Sequence, residues 1–327
     1  MQKAIQVTQY GGPEVLKLQE TKVEKPGSGQ ALVRVQAAGI NFIDIYQRRG
    51  TYPVQLPFIP GLEGSGIVEA VGEGVKNVKP GDRVAYVHEP GSYAEQNLVV
   101  ADHLIPLPAE LSFEQGAAFP LQGMTAQYLL HEFRKVKAND VVLIHAAAGG
   151  VGLLLVQWAK HLGAKVLGTT STEEKAKIAK EAGADEVILY TKQDFPTEVK
   201  RLTNGHGADL IIDGVGKTTF PGNLQAAALR GNIVIFGSSS GPADPISPNV
   251  LMGRSLTLSG GSLFNFILTN EELMARAKAV MEGIKQGWLK LRIDQVFPLE
   301  KAAEAQKKLE ERKTSGKVLL APNNKAK

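Results

Sequence analysis

The second half of the chain alternates short apolar runs with longer segments whose apolar residues recur at helical spacing. Apolar runs of four or five residues, such as VVLI at 141–144, are typical of strands buried on both faces of a parallel sheet. The pattern predicts strands at 141–144, 166–169, 186–189, 210–213 and 233–236, with helices at 151–162, 172–182, 195–203 and 218–229 between them. This alternation predicts an α/β fold with a doubly wound parallel Rossmann sheet and right-handed crossovers.

The first third of the chain has short alternating runs separated by turn residues, a pattern that predicts a β-rich domain. Residues 31–37 (ALVRVQA) alternate apolar and polar positions, and turn residues at 79–82 (KPGD) separate further runs. A capping-box pattern at Ser112 and an interruption at Pro120 then mark two helices, so we place the domain boundary near Gln122. The elements predicted outside the parallel sheet are strands at 66–71, 83–87, 92–100, 103–107 and 318–321, and helices at 113–119, 122–133, 271–286 and 301–313.

The last predicted strand, 318–321, lies far from the first domain in sequence, but we expect it to belong to that domain. The first domain would then be discontinuous. A further strand at 256–259 is predicted at the edge of the parallel sheet. Because an exposed edge strand readily pairs with a second copy, we expect a homodimer formed through residues 256–262.

A glycine-rich turn follows the strand at 141–144, where an open α/β sheet binds a dinucleotide. Gly149, Gly150 and Gly152 stand there, and in a G-x-G-x-x-G frame Gly149 and Gly152 match while Ala147 takes the first position. Small residues let the backbone approach a pyrophosphate, and the N–H groups of the next helix hold its charge. The alternative is a tight turn that only packs a helix on the sheet.

The end of the next strand indicates which dinucleotide is bound. An NAD site usually has an acidic residue there for the ribose 2′-hydroxyl, but this strand ends in Thr169, Thr170 and Ser171, with Lys175 following. Hydroxyl groups and a lysine suit a 2′-phosphate, which predicts NADPH. The alternative reading is that Thr172 simply caps the following helix. Two more small-residue turns, DGVG at 213–216 and GSSSG at 237–241, end later strands and favour a binding crevice.

The composition of the chain excludes some classes of function and disfavours others. The chain has 327 residues, a formal charge of +4 and no cysteine, which excludes disulfides, thiolate catalysis and cysteine-bound metal. The charges are dispersed, so nucleic acid is not the favoured partner. The N-terminal residues lack the apolar segment of a signal peptide, and no run approaches 18 apolar residues. We therefore expect a cytoplasmic protein without a membrane span.

Five motifs together resemble the medium-chain dehydrogenase/reductase superfamily, and within it the quinone oxidoreductase branch that includes the lens zeta-crystallins. The motifs are AGINFID at 38–44, PGLEGSGIV at 60–68, GDRV at 81–84, HAAAGGVG at 145–152 and GKVLL at 316–320. The resemblance implies a GroES-like catalytic domain at 1–122 and 265–327, which encloses a Rossmann NADPH-binding domain at 123–264. It also implies hydride transfer from NADPH to quinones or other activated alkenes.

The residues argue against the zinc site of the related alcohol dehydrogenases. Those enzymes bind zinc through a cysteine and the histidine of a G-H-E turn, but the matching turn here is Gly61-Leu62-Glu63. We therefore expect no metal. Without a Lewis acid, oxidation of an ordinary alcohol is not favoured, whereas a quinone is itself a strong hydride acceptor.

The resemblance also assigns roles to individual residues. Asn41 would face the nicotinamide and donate through its amide, and Tyr46 and Tyr52 would lie near the acceptor as possible proton donors, or else pack at a domain edge. His145 is interpreted as a structural histidine. The residues expected to contact the cofactor are Asn41, Thr125, Ala148, Gly149, Gly150, Val151, Gly152, Thr170, Ser171, Lys175, Tyr190, Gly214, Phe236, Gly237, Ser240, Phe264 and Lys317.

The sequence thus predicts a zinc-independent NADPH:quinone reductase with a small quinone or enone as its partner. One rival is an NADPH-dependent reductase of α,β-unsaturated carbonyls or enoyl thioesters on the same scaffold. The other, from a different class, is a cofactor-binding structural or RNA-binding protein. The physiological acceptor, the proton donor and the choice between one- and two-electron reduction stay open.

Overall fold

The computed structural model describes residues 1–322, and these residues form two compact units. Unit 1 comprises Met1–Leu121, Thr269–Ala277 and the described residues from Leu291 onward, and unit 2 comprises Gln122–Leu268 and Lys278–Lys290. The strands are β1 (Gln2–Gln6), β2 (Lys17–Thr21), β3 (Gln30–Ile40), β4 (Glu63–Val71), β5 (Arg83–Val87), β6 (Gln96–Val100), β7 (Leu104–Pro106), β8 (Val141–Ile144), β9 (Lys165–Thr170), β10 (Glu186–Leu189), β11 (Ala208–Asp213), β12 (Ala227–Ile235), β13 (Thr257–Gly260), β14 (Ile293–Pro298) and β15 (Lys317–Ala321). The α-helices are α1 (Phe42–Arg49), α2 (Phe113–Ala118), α3 (Pro120–His131), α4 (Gly150–His161), α5 (Glu173–Glu181), α6 (Phe195–Leu202), α7 (Phe220–Ala226), α8 (Asn249–Met252), α9 (Asn270–Lys285) and α10 (Ala302–Glu310).

Unit 2 contains the predicted parallel sheet. Its strands lie in the order β10-β9-β8-β11-β12-β13, and every neighbouring pair is parallel. From β8 the chain adds β9 and β10 on one side of the sheet, and it then adds β11, β12 and β13 on the other side. The carboxyl ends of β8 and β11 therefore flank the switch point, where open α/β sheets bind ligands. The interior strands are apolar, and Leu143, Leu167 and Ile211 pack in one buried cluster. The doubly wound fold class is confirmed.

One predicted helix in unit 2 is too long. The helix expected at 218–229 ends at Ala226, because β12 already begins at Ala227. Ala227 pairs with Ala208 of β11 and is fully buried. Sheet pairing and burial therefore override the helical preference of the alanine run.

Unit 1 is built on a sheet with the strand order β14-β15-β3-β4-β5-β7, and β6 pairs with β3 as well. The alternation predicted at 31–37 is observed, with Ala31, Val33, Val35 and Ala37 all buried. The sequence analysis missed β1, β2, β14 and α1. The residues of β2 are mostly exposed and polar, so no apolar alternation marks that strand.

The last strand, β15, is an interior member of the unit 1 sheet. It pairs antiparallel with β3, where Val318 faces Ile40, and parallel with β14. The whole of β15 is buried. The C-terminal strand therefore completes a sheet whose other strands, apart from β14, come from the first 106 residues.

Both tryptophans of the chain lie in unit 2. Trp158 of α4 and Trp288 have ring centroids 5.3 Å apart in an edge-to-face arrangement. The Trp288 ring also stacks on His161 at a centroid distance of 4.0 Å.

Candidate active site

The glycine turn connects β8 to α4 as predicted, and its glycines differ in what surrounds them. A Cβ on Gly152 would lie 2.9 Å from Ala147 Cα, so the turn's own backbone requires glycine there. A Cβ on Gly150 would lie 2.5 Å from Cδ of the Gln122 side chain. On Gly149 it would meet a single protein atom within 4 Å, Ala146 O at 3.1 Å. That contact is tight, but it is less severe than the contacts at Gly150 and Gly152.

The N-terminal end of α4 is suited to binding an anion. Gly149 is the N-cap of the twelve-residue helix α4, and the first N–H groups of a helix have no intrahelical acceptor. Those groups and the positive end of the helix dipole attract an anion. Binding of the pyrophosphate of a dinucleotide at this turn stays a prediction.

The residues expected around a 2′-phosphate lie together at the carboxyl ends of β9 and β10. Tyr190 N–H donates to Thr170 O at 3.2 Å, and the hydroxyl of Thr191 donates to Ser171 O at 3.0 Å. The Tyr190 side chain is 41% exposed. The hydroxyl of Thr172 accepts from Lys175 N–H at 3.3 Å, so the predicted cap on α5 is confirmed.

A buried chain of hydrogen bonds ties together the strand ends behind the glycine turn. The Asp213 carboxylate accepts from Asn223 Nδ2 at 2.6 Å and from the Thr219 hydroxyl at 2.7 Å. Asn223 Oδ1 then lies 2.7 Å from His145 Nε2, and His145 Nδ1 lies 2.9 Å from the Thr169 hydroxyl. Burial lowers the pKa of His145, so the ring is neutral at pH 7. His145 is therefore a hydrogen-bonded structural histidine, as predicted.

The turns at 213–216 and 237–241 pack against each other. A Cβ on Gly214 would lie 2.8 Å from the Phe236 ring, and one on Gly237 would lie 3.0 Å from Gly214 O. The Ser240 hydroxyl donates to Val215 O at 2.8 Å and accepts from Thr218 N–H at 3.1 Å. Gly214, Phe236, Gly237 and Ser240, predicted separately from sequence, thus form one cluster at the ends of β11 and β12.

Two further predicted contacts lie elsewhere in unit 2. Thr125 is buried in α3, and Phe264 is partly buried in the short 3-10 helix Leu263–Phe266. Whether any of these residues contacts a cofactor stays a prediction.

Unit 1 brings Asn41 and Lys317 together. Asn41 follows β3 and caps α1, and its side chain is 5% exposed. Lys317 Nζ donates to Asn41 Oδ1 at 2.9 Å, and Asn41 Nδ2 donates to Glu63 Oε1 at 2.7 Å. Lys317 also forms a buried ion pair with Glu63. The Lys317 side chain is 2% exposed, so this lysine is buried rather than solvated.

Asp44 extends this polar cluster on the other side of Asn41. One carboxyl oxygen accepts from Asn41 N–H and from the Tyr93 hydroxyl, each at 2.8 Å. Burial raises the pKa of Asp44 to about 7, although both hydrogen bonds oppose this shift. Its second oxygen is buried without a hydrogen-bond partner among the described residues.

Tyr46 and Tyr52 contact each other. Their ring centroids are 5.2 Å apart in an edge-to-face arrangement, and Tyr52 N–H donates to Tyr46 O at 3.2 Å. The Tyr52 side chain is 47% exposed and thus open to solvent on one side. A chemical role for either tyrosine stays a prediction.

Sequence reasoning missed several buried polar residues of these sites. Glu63, Asp44 and Asn223 are fully buried and hydrogen-bonded to residues that the sequence analysis named. The spacing of Asn41 and Asp44 is a usable signal, because an N-x-x-D pair resembles a capping box. Across residues 1–322 no group of three or more His, Asp or Glu side chains is placed to hold a metal ion. None of the described helices is long and apolar enough to cross a bilayer.

Comparison with known proteins assigns the chain to a class. Residues 27–136 match the alcohol dehydrogenase GroES-like domain, and residues 150–279 match the zinc-binding dehydrogenase family. A quinone oxidoreductase of Pseudomonas aeruginosa is 42% identical, over 98% of this chain and the whole of that protein. A 2-haloacrylate reductase of a Burkholderia species is 40% identical over 98% of this chain and 99% of that protein.

A solved structure extends the similarity to the fold. The crystal structure of Escherichia coli quinone oxidoreductase complexed with NADPH superimposes with a TM-score of 0.95, at 41% identity over 98% of this chain and all of that one. The fold and these relatives define a medium-chain dehydrogenase/reductase. Within that superfamily the chain belongs to the zeta-crystallin-like quinone oxidoreductases, which confirms the resemblance seen in the five motifs.

Proposed function

We propose that the protein is an NADPH-dependent quinone reductase that transfers a hydride from NADPH to a quinone without a metal. The observation that carries the proposal is the similarity, over 98% of the chain, to quinone oxidoreductases, one of them crystallised with NADPH. The glycine turn adds a physical argument, because Gly149 caps α4, whose first N–H groups and positive dipole end attract a pyrophosphate.

The proposed cofactor site uses three groups of residues in unit 2. Ala148 to Gly152 bind the pyrophosphate, Thr170, Ser171, Lys175 and Tyr190 surround the adenosine 2′-phosphate, and Gly214, Phe236, Gly237 and Ser240 line the nicotinamide side. Thr125 and Phe264 complete these contacts. Lysine and hydroxyl donors at the end of β9, without a carboxylate on that strand, favour the phosphorylated cofactor.

In this reaction the main task of the protein is to orient the quinone against the nicotinamide. When bound, the reduced nicotinamide supplies the hydride. Asn41 orients the reacting groups through its amide, and Tyr46 and Tyr52 lie beside the acceptor. The developing phenolate takes its proton from a tyrosine hydroxyl or from water. Leu62 stands where zinc-dependent relatives have histidine, and the chain has no cysteine, so no step is assigned to a metal.

Reduction of an activated alkene is the second candidate. The 40% identity to a 2-haloacrylate reductase favours it specifically. Such a reaction needs a proton donor beside the alkene α-carbon. We therefore expect Tyr52→Phe to reduce turnover of an enone while quinone turnover persists. Equal losses with both acceptors would argue against a donor role that is confined to alkenes.

Parallel assays of NADPH and NADH oxidation test the proposal. The acceptors are an ortho-quinone, a para-quinone and a simple enone, and each assay is run with and without chelator. We expect rapid NADPH loss with quinones that chelator leaves unchanged. Turnover with the enone alone would establish alkene reduction instead. Binding of NADPH with no turnover, or tight RNA binding with a steep salt dependence, would favour the structural class.

We also propose a cytoplasmic homodimer. β13 is an edge strand of the unit 2 sheet, and its residues are exposed or partly buried, so it is open to pairing with a second copy. Light scattering should give a mass of twice 35.0 kDa. Ser259→Lys should lower that mass towards the monomer by placing like charges together, and a monomeric wild type would contradict the proposal.

A further inference from the structure

Three neighbouring strands of unit 1 deliver Asn41, Glu63 and Lys317 to one buried point. Glu63 is the first residue of β4, Lys317 is the first residue of β15, and Asn41 directly follows β3. Because β3 lies between β15 and β4 in the sheet, the two charged residues reach Asn41 from opposite sides. Sheet pairing therefore fixes this arrangement through the backbone.

The chemistry of the two partners fixes which way the Asn41 amide faces. An ammonium group can only donate and a carboxylate can only accept. Lys317 Nζ is 2.9 Å from Asn41 Oδ1 and Glu63 Oε1 is 2.7 Å from Asn41 Nδ2. A flipped amide would place donor against donor and acceptor against acceptor. The ion pair thus holds the amide in a single orientation.

Glu63 is itself held in place. Its second oxygen, Oε2, accepts from Leu121 N–H at 2.8 Å. Gly39 makes room for the side chain, because a Cβ on Gly39 would lie 2.6 Å from both Cγ and Cδ of Glu63. Glycine at 39 is therefore required for the close approach of Glu63 to β3.

We propose that Glu63 and Lys317 are positioning residues, which act through Asn41 by fixing the orientation of its side-chain amide. The amide nitrogen carries two hydrogens, and one is used on Glu63. The other is the donor that a bound carbonyl or hydroxyl oxygen meets in a fixed direction. The inference deepens the proposed function and rests on it for its effect on catalysis, but the orientation itself belongs to the protein without ligand.

Side-chain hydrogen exchange tests the orientation without any substrate. The protein is labelled with 15N-asparagine, and the Asn41 NH2 signals are those missing from Asn41→Ala. We expect exchange of these hydrogens with water to be at least roughly ten-fold faster in Glu63→Gln than in the wild type, because glutamine cannot present acceptors to both Asn41 and Leu121. Equal exchange rates would overturn the inference even if the protein proved to have another activity.

Gly39→Ala provides a second route to the same change. It displaces Glu63 without removing any charge, and it covers the case in which Glu63→Gln does not fold. Glu89→Gln is the matched control, because Glu89 is a buried carboxylate in unit 1 that pairs with His103. We expect the Asn41 exchange rate to rise in Gly39→Ala and to match the wild type in Glu89→Gln.

A double-mutant cycle tests the effect on catalysis. Glu63→Gln should slow single-turnover NADPH oxidation by quinone roughly ten-fold, while the Kd of NADPH changes less than about three-fold. In the Asn41→Ala background the same substitution should change the rate by less than about two-fold. Additive losses would contradict action through Asn41. A wild type that does not oxidise NADPH with quinone would instead contradict the proposed function, and the exchange experiment would still decide the inference.

Discussion

Asp44 shows how a single buried carboxyl makes folding depend on pH. Burial raises its pKa from 3.8 to about 7 in the folded protein. Between these values the folded chain keeps the proton while the unfolded chain has lost it. The folded state then binds more protons than the unfolded state, so the contribution of Asp44 to stability falls as pH rises from about 4 to about 7.

Asp44→Asn should remove this dependence, since the amide does not titrate. We expect the stability of wild type relative to the variant to fall by up to about 1.4 kcal/mol per pH unit across the window from about 4 to about 7. Urea unfolding at several pH values measures the difference. Asp82→Asn is the control, because hydrogen bonds from Lys79 lower the pKa of Asp82 and leave it ionised throughout this window. A difference independent of pH would contradict the raised pKa.

We expect Lys175 to discriminate between the two nicotinamide cofactors, which is a second prediction at the scale of one residue. Lys175→Ala removes a positive charge that we place beside the 2′-phosphate, so NADPH should bind roughly ten- to a hundred-fold more weakly and NADH nearly unchanged. Fluorescence titration with both cofactors measures this. Lys177→Ala, two residues along α5 and paired with Glu181, is the control and should affect neither. Equal losses for both cofactors would refute the assignment of Lys175.

At the scale of elements, the turn between β8 and α4 needs glycine for two different reasons: Gly149 for cofactor binding and Gly152 for packing of the backbone. Gly149→Val should abolish the binding of either cofactor, because its side chain would occupy the space that we assign to the pyrophosphate, whereas its Cβ would make one tight contact, 3.1 Å from Ala146 O. Gly152→Ala should instead lower the unfolding temperature, because its Cβ would press on Ala147 Cα. Calorimetry and cofactor titration distinguish the two effects. Gly253→Val, with no atom within 4 Å of its Cβ, is the control for both. Normal affinity in Gly149→Val would refute the pyrophosphate site.

The same elements show how far the sequence predicts the fold. β8 and β10 were predicted with the observed bounds. β8 is a wholly apolar run of four residues, and β10 is a short segment between two clearly amphipathic helices, so neither pattern fits a helix. β2 was missed because its exposed residues carry no pattern. The sequence predicted Asn41 and Lys317 as site residues but not that they meet at Glu63. These three residues are separated by up to 276 positions, and only sheet pairing brings them together.

At the scale of the whole molecule, the tryptophans report on one unit only. Both lie in unit 2, which also contains the proposed cofactor residues other than Asn41 and Lys317. Saturating NADPH should therefore raise the midpoint of the tryptophan unfolding transition, with a stabilisation of about 2.7 kcal/mol at a hundred times Kd. Gly149→Val should abolish the shift. A shift seen by circular dichroism but absent from tryptophan emission would place the cofactor outside unit 2.

The position of β15 has a consequence for synthesis on the ribosome. The sheet of unit 1 that contains β15 begins with β3, which is translated early, yet it needs β15, which starts at Lys317, as an interior strand beside β3. The parallel sheet of unit 2 is meanwhile complete once β13 has been translated. A nascent chain can thus assemble the later sheet before the earlier one. Until β15 has been translated, residues 38–40 of β3 lack their partner strand, because β6 pairs only with residues 30–34. The unit 1 sheet therefore depends on a segment that is translated after every strand of the unit 2 sheet.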